Sequence, residues 1–310
     1  NKRELPWRRN FSFQKKLYYT LVSEFMLQQT QVVTVIPYFK RFIKYIPNLK
    51  SLAKVENKKL IKLWEGLGYY SRARNLKKTA QIICKNFQGK LPNNFEDLKS
   101  LPGIGDYTAT AILAIAFNKT LIPLDGNIER VLKRYLYLKK KKEVQKDNLI
   151  KKKSIFGISS RSSDYAQALM ELGALICKPY NPICSQCPIS KSCRSYKRND
   201  FSLFKNTKKN KNKFFILKVY KKNQRYLLIK NTKFNFLKNL TIFPMEELHK
   251  PKNFNENLNF KMSNMNMNIK IQFIKNDIKL PSSYWINRKK LDSYMLPSFT
   301  KKVVRYLERN

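Results

Sequence analysis

Four cysteines in seventeen residues, Cys177, Cys184, Cys187 and Cys193, form a C-x6-C-x2-C-x5-C block, and with Cys84 they are all the thiols of the chain. Thiolates so close in sequence can wrap one ion or one cluster, whereas a chain of 310 residues needs no disulfides to hold a core. The block therefore points to a short loop organised around a metal. Its spacing lacks the two separated C-x2-C knuckles of a zinc ribbon, and four thiolates suit either a tetrahedral zinc or a 4Fe-4S cube. A disulfide or accidental origin is the weaker account.

The length predicts two domains, since single cores stop growing near roughly 250 to 300 residues. The longest apolar run, Tyr107 to Phe117, has eleven residues, against the ~20 that a membrane-spanning helix requires. The opening Asn1-Lys2-Arg3-Glu4-Leu5-Pro6-Trp7 does not read as a secretory signal, and the missing initiator methionine predicts residues upstream of Asn1. A soluble, cytoplasmic protein is expected. The formal net charge of +44 would attract a polyanion, with binding that weakens steeply in salt. Nucleic acid is the expected partner. An AT-biased coding sequence, which enriches Lys, Asn, Ile, Phe and Tyr together, accounts for part of that charge without any function.

All eight glycines, from Gly66 to Gly173, lie in the first 173 residues. Residues 1–193 read as mainly α, with helical spacing at Leu17, Leu21, Phe25 and Gln28 and at Val131, Arg134 and Leu138, and with turns at Pro47, Pro92 and Pro102. Residues 194–213, which include the run Lys208 to Lys213, are too polar to bury a core and read as a basic linker. Residues 214–310 read as a smaller α+β domain. Its expected strands are Phe214 to Tyr220, Tyr226 to Ile229 and Ile269 to Ile274, and its closing helix is Leu296 to Leu307.

Leu101-Pro102-Gly103-Ile104-Gly105 lies between two helical patterns, Phe95 to Ser100 and Asp106 to Phe117, in the manner of a helix-hairpin-helix. Gly103 and Gly105 allow tight positive-φ turns and leave backbone N–H groups bare at a helix N-terminus, where a phosphate can dock. Such contacts position DNA without reading its sequence.

Two carboxylates stand out. Asp125 precedes the expected helix Ile128 to Leu138 and is a natural N-cap there. Glu24 lies in the largely apolar stretch Leu21 to Leu27, where burial would raise its pKa and favour a protonated form able to act as an acid. One neutral acid beside one ionised carboxylate is the logic of glycoside hydrolysis, here applied to an N-glycosidic bond. The single histidine, His249, makes a histidine-based triad a poor reading.

Taken in order, Leu5-Pro6-Trp7-Arg8, Ser23-Glu24-Phe25-Met26-Leu27-Gln28-Gln29-Thr30, Trp64-Glu65-Gly66-Leu67-Gly68-Tyr69-Tyr70, the hairpin, Leu124-Asp125-Gly126-Asn127 and the four cysteines resemble the MutY-type adenine DNA glycosylases of the helix-hairpin-helix superfamily. The resemblance covers about residues 4 to 196. It implies a monofunctional enzyme that removes adenine mispaired with 8-oxoguanine or guanine in duplex DNA, acting as a monomer on a flipped-out base. It assigns Glu24 to protonate the adenine ring and Asp125 to stabilise the cationic sugar, with Tyr107 and Asn127 beside that sugar. Leu27, Gln28, Gln29 and Tyr69 correspond to segments that wedge into the duplex, and Trp7, Arg8 and Gln167 to the adenine pocket. Cys177, Cys184, Cys187 and Cys193 would hold a 4Fe-4S cluster, ringed by Lys178, Lys191, Arg194 and Lys197. Position 107 carries a lysine in the endonuclease III-like members, where it forms a Schiff base with the sugar; here it is tyrosine, so strand cleavage is not expected.

The second domain resembles more faintly the Nudix-like unit that recognises 8-oxoguanine. Phe236 to Pro244 keeps a segment outline without its glycines. Met262-Ser263-Asn264 stands where the family has Phe-Ser-His, so Ser263 and Asn264 are the expected lesion contacts. No glycine-led acidic box for magnesium is present.

Overall fold

The computed structural model describes residues 3–140, 142–157, 159–202, 211–238, 240–249, 251, 253–262, 265–275, 283–287 and 296–309. The chain divides into two compact units, Asn1–Leu63 with Ser71–Lys205 and Trp64–Tyr70 with Asn206–Asn310.

The first unit is helical: α1 (Phe13–Leu27), α2 (Val32–Tyr45), α3 (Leu49–Lys54), α4 (Asn57–Trp64, whose last residue groups with the second unit), α5 (Ser71–Asn86), α6 (Phe95–Ser100), α7 (Asp106–Ile115), α8 (Gly126–Leu136), α9 (Lys146–Lys152), α10 (Ser162–Glu171) and α11 (Arg194–Lys197). Helix α1 is buried from Leu17 to Met26 almost without interruption, as suits a helix enclosed on most sides. It packs against α2, α5 and α7. Helix α5 turns Ala73, Leu76, Ala80 and Ile83 inward at spacings of three and four.

Helix α8 starts two residues before its expected first residue and stops two before its expected last. Asp125 caps it through Oδ1, which accepts from Ile128 N at 2.7 Å. At the other end Tyr137 turns left-handed, with φ +56°, and its N–H closes on Lys133 and Arg134 carbonyls. Helix α7 likewise ends at Ile115.

Residues 194–213, expected as a basic linker, carry regular structure at both ends. Residues Arg194–Lys197 form the short helix α11, packed on α8 with Ser195 buried. Asp200 accepts a hydrogen bond from the Tyr137 hydroxyl at 2.7 Å. These local bonds hold a segment whose composition alone reads as unfolded, and the first strand begins at Lys211.

The second unit holds strands β1 (Lys211–Lys222), β2 (Arg225–Lys230), β3 (Thr241–Ile242), β4 (Met245–Leu248), β5 (Leu258–Met262), β6 (Met265–Ile274) and β7 (Ser283–Asn287), with helix α12 (Ser298–Arg309). The sheet order is β3-β2-β1-β6-β5, with β4 also on β1 and β7 on β2. The long β1 pairs in parallel with β6 from Lys211 with Met265 to Tyr220 with Ile274, and its last residues turn into an antiparallel hairpin with β2. Phe215, Leu217 and Val219 alternate along β1 and bury one face. Phe299, Val303 and Val304 of α12 close the same core. Buried Asn231 organises the turn that follows β2: its Nδ2 donates to Phe234 O and Phe236 O, and its Oδ1 accepts from Phe234 N. Leu237 then adopts φ +51°, a conformation that glycine would take without strain. Glu65 and Lys301 form an ion pair of 2.7 Å within this unit.

Candidate active site

A cavity of about 610 Å³ opens in the helical unit, with Glu24 of α1 and Asp125 at the cap of α8 on its wall. Tyr107, Asn127, Trp7 and Arg8 line it too, as do Leu27, Gln28, Gln29, Gly103 and Gly105. The fold thus gathers residues spread over more than a hundred positions. Gln167 is absent from this lining. It is buried, and its Nε2 is turned back onto Ser163 O at 3.0 Å within α10. Tyr69 groups with the other unit, at φ +47° and exposed. Ser263 and Asn264 lie outside the described residues.

Glu24 is only 6 % exposed. Burial pushes its carboxyl up to about 7, the hydrogen bond from Tyr107 and the charge of Arg8 pull it down, and Asp125 raises it further. Burial and the two nearby carboxylates drive the Tyr107 phenol well above its ordinary range, so it keeps its proton and donates to Glu24. Burial also raises Asp125, but Ile128 N, Asn127 and Arg130 oppose the shift. Its Oδ2 accepts from Asn127 Nδ2 at 3.1 Å. One carboxyl can therefore hold a proton near neutrality while its neighbour is surrounded by donors suited to the ionised form.

Sequence reasoning missed what holds this arrangement. Buried Arg72 donates through Nη1 to the carbonyls of Phe25, Met26 and Gln28, at 3.1, 2.7 and 2.6 Å. It thereby satisfies the end of α1 where Leu27, Gln28 and Gln29 project. Gln28 Nε2 donates to Gly103 O at 3.1 Å and tethers that end to the hairpin. Arginine in a polar-looking stretch of α5 gives no such signal.

In the hairpin only Gly103 has positive φ, +83°. Gly105 is extended, at φ −99°, and serves as the N-cap residue of α7. A Cβ at Gly103 would stand 2.8 Å from Phe25 Cε1 and 2.9 Å from Asn75 Cβ. Asp106 in the first turn of α7 pairs with Lys99 at 3.0 Å and Lys146 at 3.3 Å, which offsets a carboxylate placed where a phosphate would dock.

The four clustered cysteines line a second, small cavity of about 20 Å³ together with Val131 and Arg134 of α8. Each is partly buried and free of disulfides. Burial, then the charges of the other three thiols, raises Cys184. No group of three or more His, Cys, Asp or Glu side chains able to hold a single metal ion occurs among the described residues. Arg134 Nη1 donates to Cys177 Sγ at 3.4 Å and to Lys178 O at 2.6 Å. Arg130 reaches both sites: Nε donates to Cys177 O at 2.8 Å and Nη2 to Asn127 Oδ1 at 2.9 Å and Gly173 O at 2.6 Å. Gly173 lies so close to α8 that a Cβ there would be 2.6 Å from Asn127 Cβ. Lys178, Lys191, Arg194 and Lys197 are exposed around the loop.

No helix among the described residues is long and apolar enough to cross a membrane. Residues 22–153 match the family model described as HhH-GPD superfamily base excision DNA repair protein. The chain is 40 % identical over 252 residues to the adenine DNA glycosylase of Buchnera aphidicola subsp. Schizaphis graminum, covering 78 % of this chain and 70 % of that one. It is 39 % identical over 208 residues to the adenine DNA glycosylase of Homo sapiens, covering 64 % of this chain and 37 % of that one. Among solved structures, a thermostable thymine-DNA glycosylase superposes with a TM-score of 0.56 at 27 % identity, over 63 % of this chain and 89 % of that one. With the carboxylate pair, the hairpin and these similarities together, the chain belongs to the adenine DNA glycosylases, DNA N-glycosylases of the helix-hairpin-helix base excision repair superfamily.

Proposed function

We propose that this protein excises adenine paired with 8-oxoguanine or guanine in duplex DNA, by hydrolysis of the N-glycosidic bond and without cutting the strand. The observation that carries this reading is Glu24, buried, held near 7 and hydrogen-bonded by Tyr107 in a cavity that it shares with Asp125. Glu24 gives its proton to a ring nitrogen of the flipped adenine, and the glycosidic electron pair leaves with the base. Asp125 faces the cationic sugar that results. Water then adds to the anomeric carbon, and its proton returns to the carboxylate left on Glu24. Tyr107 offers no amine where a Schiff base would form, which supports a monofunctional reaction.

The cysteine loop fits a 4Fe-4S cluster held by Cys177, Cys184, Cys187 and Cys193. In support, the four thiols line one small cavity beside Arg134. Held there, such a cluster would cross-link the basic loop. Iron and acid-labile sulfide near four each in anaerobically purified protein would support it, and stoichiometric zinc would replace it.

Residues 1–193 act as the glycosylase domain, and residues 214–310 as a Nudix-like recognition domain for 8-oxoguanine. The sheet and the closing helix α12 support that assignment. The enzyme works as a monomer on DNA inside the cell, with Leu27, Gln28, Gln29 and Tyr69 against the opened duplex. Duplexes carrying adenine opposite 8-oxoguanine, adenine opposite guanine, and thymine glycol test the reading after alkali treatment. Adenine release from the first two, lost in Glu24→Gln, is expected. Excision of thymine glycol, or a stoichiometric adduct trapped by borohydride, would sink it.

A further inference from the structure

We infer that Glu171 is a positioning residue for adenine excision: its carboxylate pins Arg3 and Arg8 to the wall of the pocket and restrains the positive field that Arg8 casts on Glu24. The inference deepens the proposed reaction and rests on the reading of Glu24 as its acid. Glu171 is the last residue of α10 and is 8 % exposed. Its Oε2 accepts from Arg3 Nε at 2.6 Å, and its Oε1 from Arg3 Nη2 at 2.8 Å and Arg8 Nη1 at 2.5 Å. Both arginines line the cavity, whereas Glu171 lies behind them.

This carboxylate does what the local backbone cannot. Residues 3–5 and 10–12 have no regular structure, and Leu5-Pro6-Trp7-Arg8 is a single turn closed by Arg8 N on Leu5 O at 2.9 Å. Leu5 and Trp7 are buried, and the Trp7 ring meets Phe39 edge-on at 5.2 Å. Those apolar anchors fix the turn but leave two long cationic side chains free to choose a direction. A carboxylate that accepts from both in a fork geometry chooses it for them.

Burial would raise the Glu171 carboxyl, yet the hydrogen bonds and charges of Arg3 and Arg8 hold it below its ordinary range. It is therefore ionised wherever the enzyme works. Two guanidinium charges against one carboxylate leave the cluster at 2 − 1 = +1. The groups that act on Glu24 are the Tyr107 phenol, Arg8 and Asp125. Arg8 favours the ionised form of Glu24, and Glu171, bonded to Arg8, opposes that pull. With Glu171 neutral, Arg8 would act on Glu24 uncompensated and the acid would lose its proton at lower pH.

The test is adenine release under single-turnover conditions, followed against pH on duplex carrying adenine opposite 8-oxoguanine. Glu171→Gln keeps an acceptor oxygen for Arg8 and removes the charge. Its alkaline midpoint is expected to fall by ~0.5 pH unit or more, a roughly threefold loss of rate on the alkaline side. Glu171→Asp restores the charge and should bring the midpoint back towards that of the wild type, and Arg8→Gln should move it upward. Unshifted midpoints in Glu171→Gln and Arg8→Gln overturn the inference, because a purely structural anchor would change amplitude or Tm and leave the midpoint alone. If Glu171→Gln does not fold, Arg8→Gln decides: an upward shift supports the inference and its absence overturns it. Full release by Glu24→Gln would instead remove Glu24 as the acid, and the inference with it.

Discussion

Arg130 donates from Nε to the carbonyl oxygen of Cys177 at 2.8 Å, across 47 residues of sequence. The same guanidinium holds Asn127 Oδ1 and Gly173 O, so one side chain on α8 connects the first cysteine of the loop to the residue beside Asp125. If the cysteine loop holds the proposed cluster, Arg130→Ala should lower adenine release by about 10- to 100-fold, the usual cost of losing an outer partner of a metal site. Iron content measured beside the rate checks the route: a normal rate in a variant with full iron would show that the connection is idle.

Glu24 gives a prediction in which stability and activity part. Its carboxyl is held near 7 against an ordinary 4.5, so the folded state binds a proton that the unfolded chain has released. The penalty is absent below the unfolded value, grows between 4.5 and 7, and is complete above 7, where it reaches roughly 3 kcal/mol. Glu24→Gln should thus raise Tm at pH 8, leave it nearly unchanged at pH 4, and cut adenine release by ~10²-fold or more. Thermal melts at the two pH values read the sign directly.

The phenol of Tyr107 lowers Glu24 by hydrogen bonding to it. Tyr107→Phe removes that bond, so the alkaline limb of the rate profile should move upward. Direction is the diagnostic, since Glu171→Gln is expected to move the same limb downward. A downward shift in Tyr107→Phe would mean that the phenol does not favour the ionised acid.

Gly103→Ala meets two obstacles, a φ of +83° and an approach of 2.8 Å to Phe25. The expected cost is about 2 kcal/mol of stability, together with weaker duplex binding whose salt slope is nearly unchanged. Gly105→Ala, extended and open, should melt close to the wild type. Equal destabilisation of the two variants would contradict the hairpin geometry.

Much of this is legible in the amino-acid sequence, for a physical reason that differs by region. Glu24 is conspicuous because a carboxyl within Leu21 to Leu27 breaks an apolar run, and that local anomaly survives folding as a buried acid. The hairpin and the Asp125 cap are written in glycines, a proline and an aspartate whose conformations are decided within four residues. Arg72, Arg130 and Glu171 escaped because their partners outside their own helices lie 43 to 168 residues away and nothing near them in sequence is unusual. The short strands β3, β4, β5 and β7 carry too few alternating residues to stand out from polar loops, and α11 is held by contacts with α8 that composition does not record.

Asp125 places two duties on a single carboxyl: Oδ1 closes the first turn of α8 while Oδ2 meets Asn127. Among the natural amino acids, serine, threonine and asparagine would keep the cap, and glutamate would keep the charge at the wrong reach. A saturation library scored for abundance and for repair should therefore give two different orders at this position, with aspartate alone high in both.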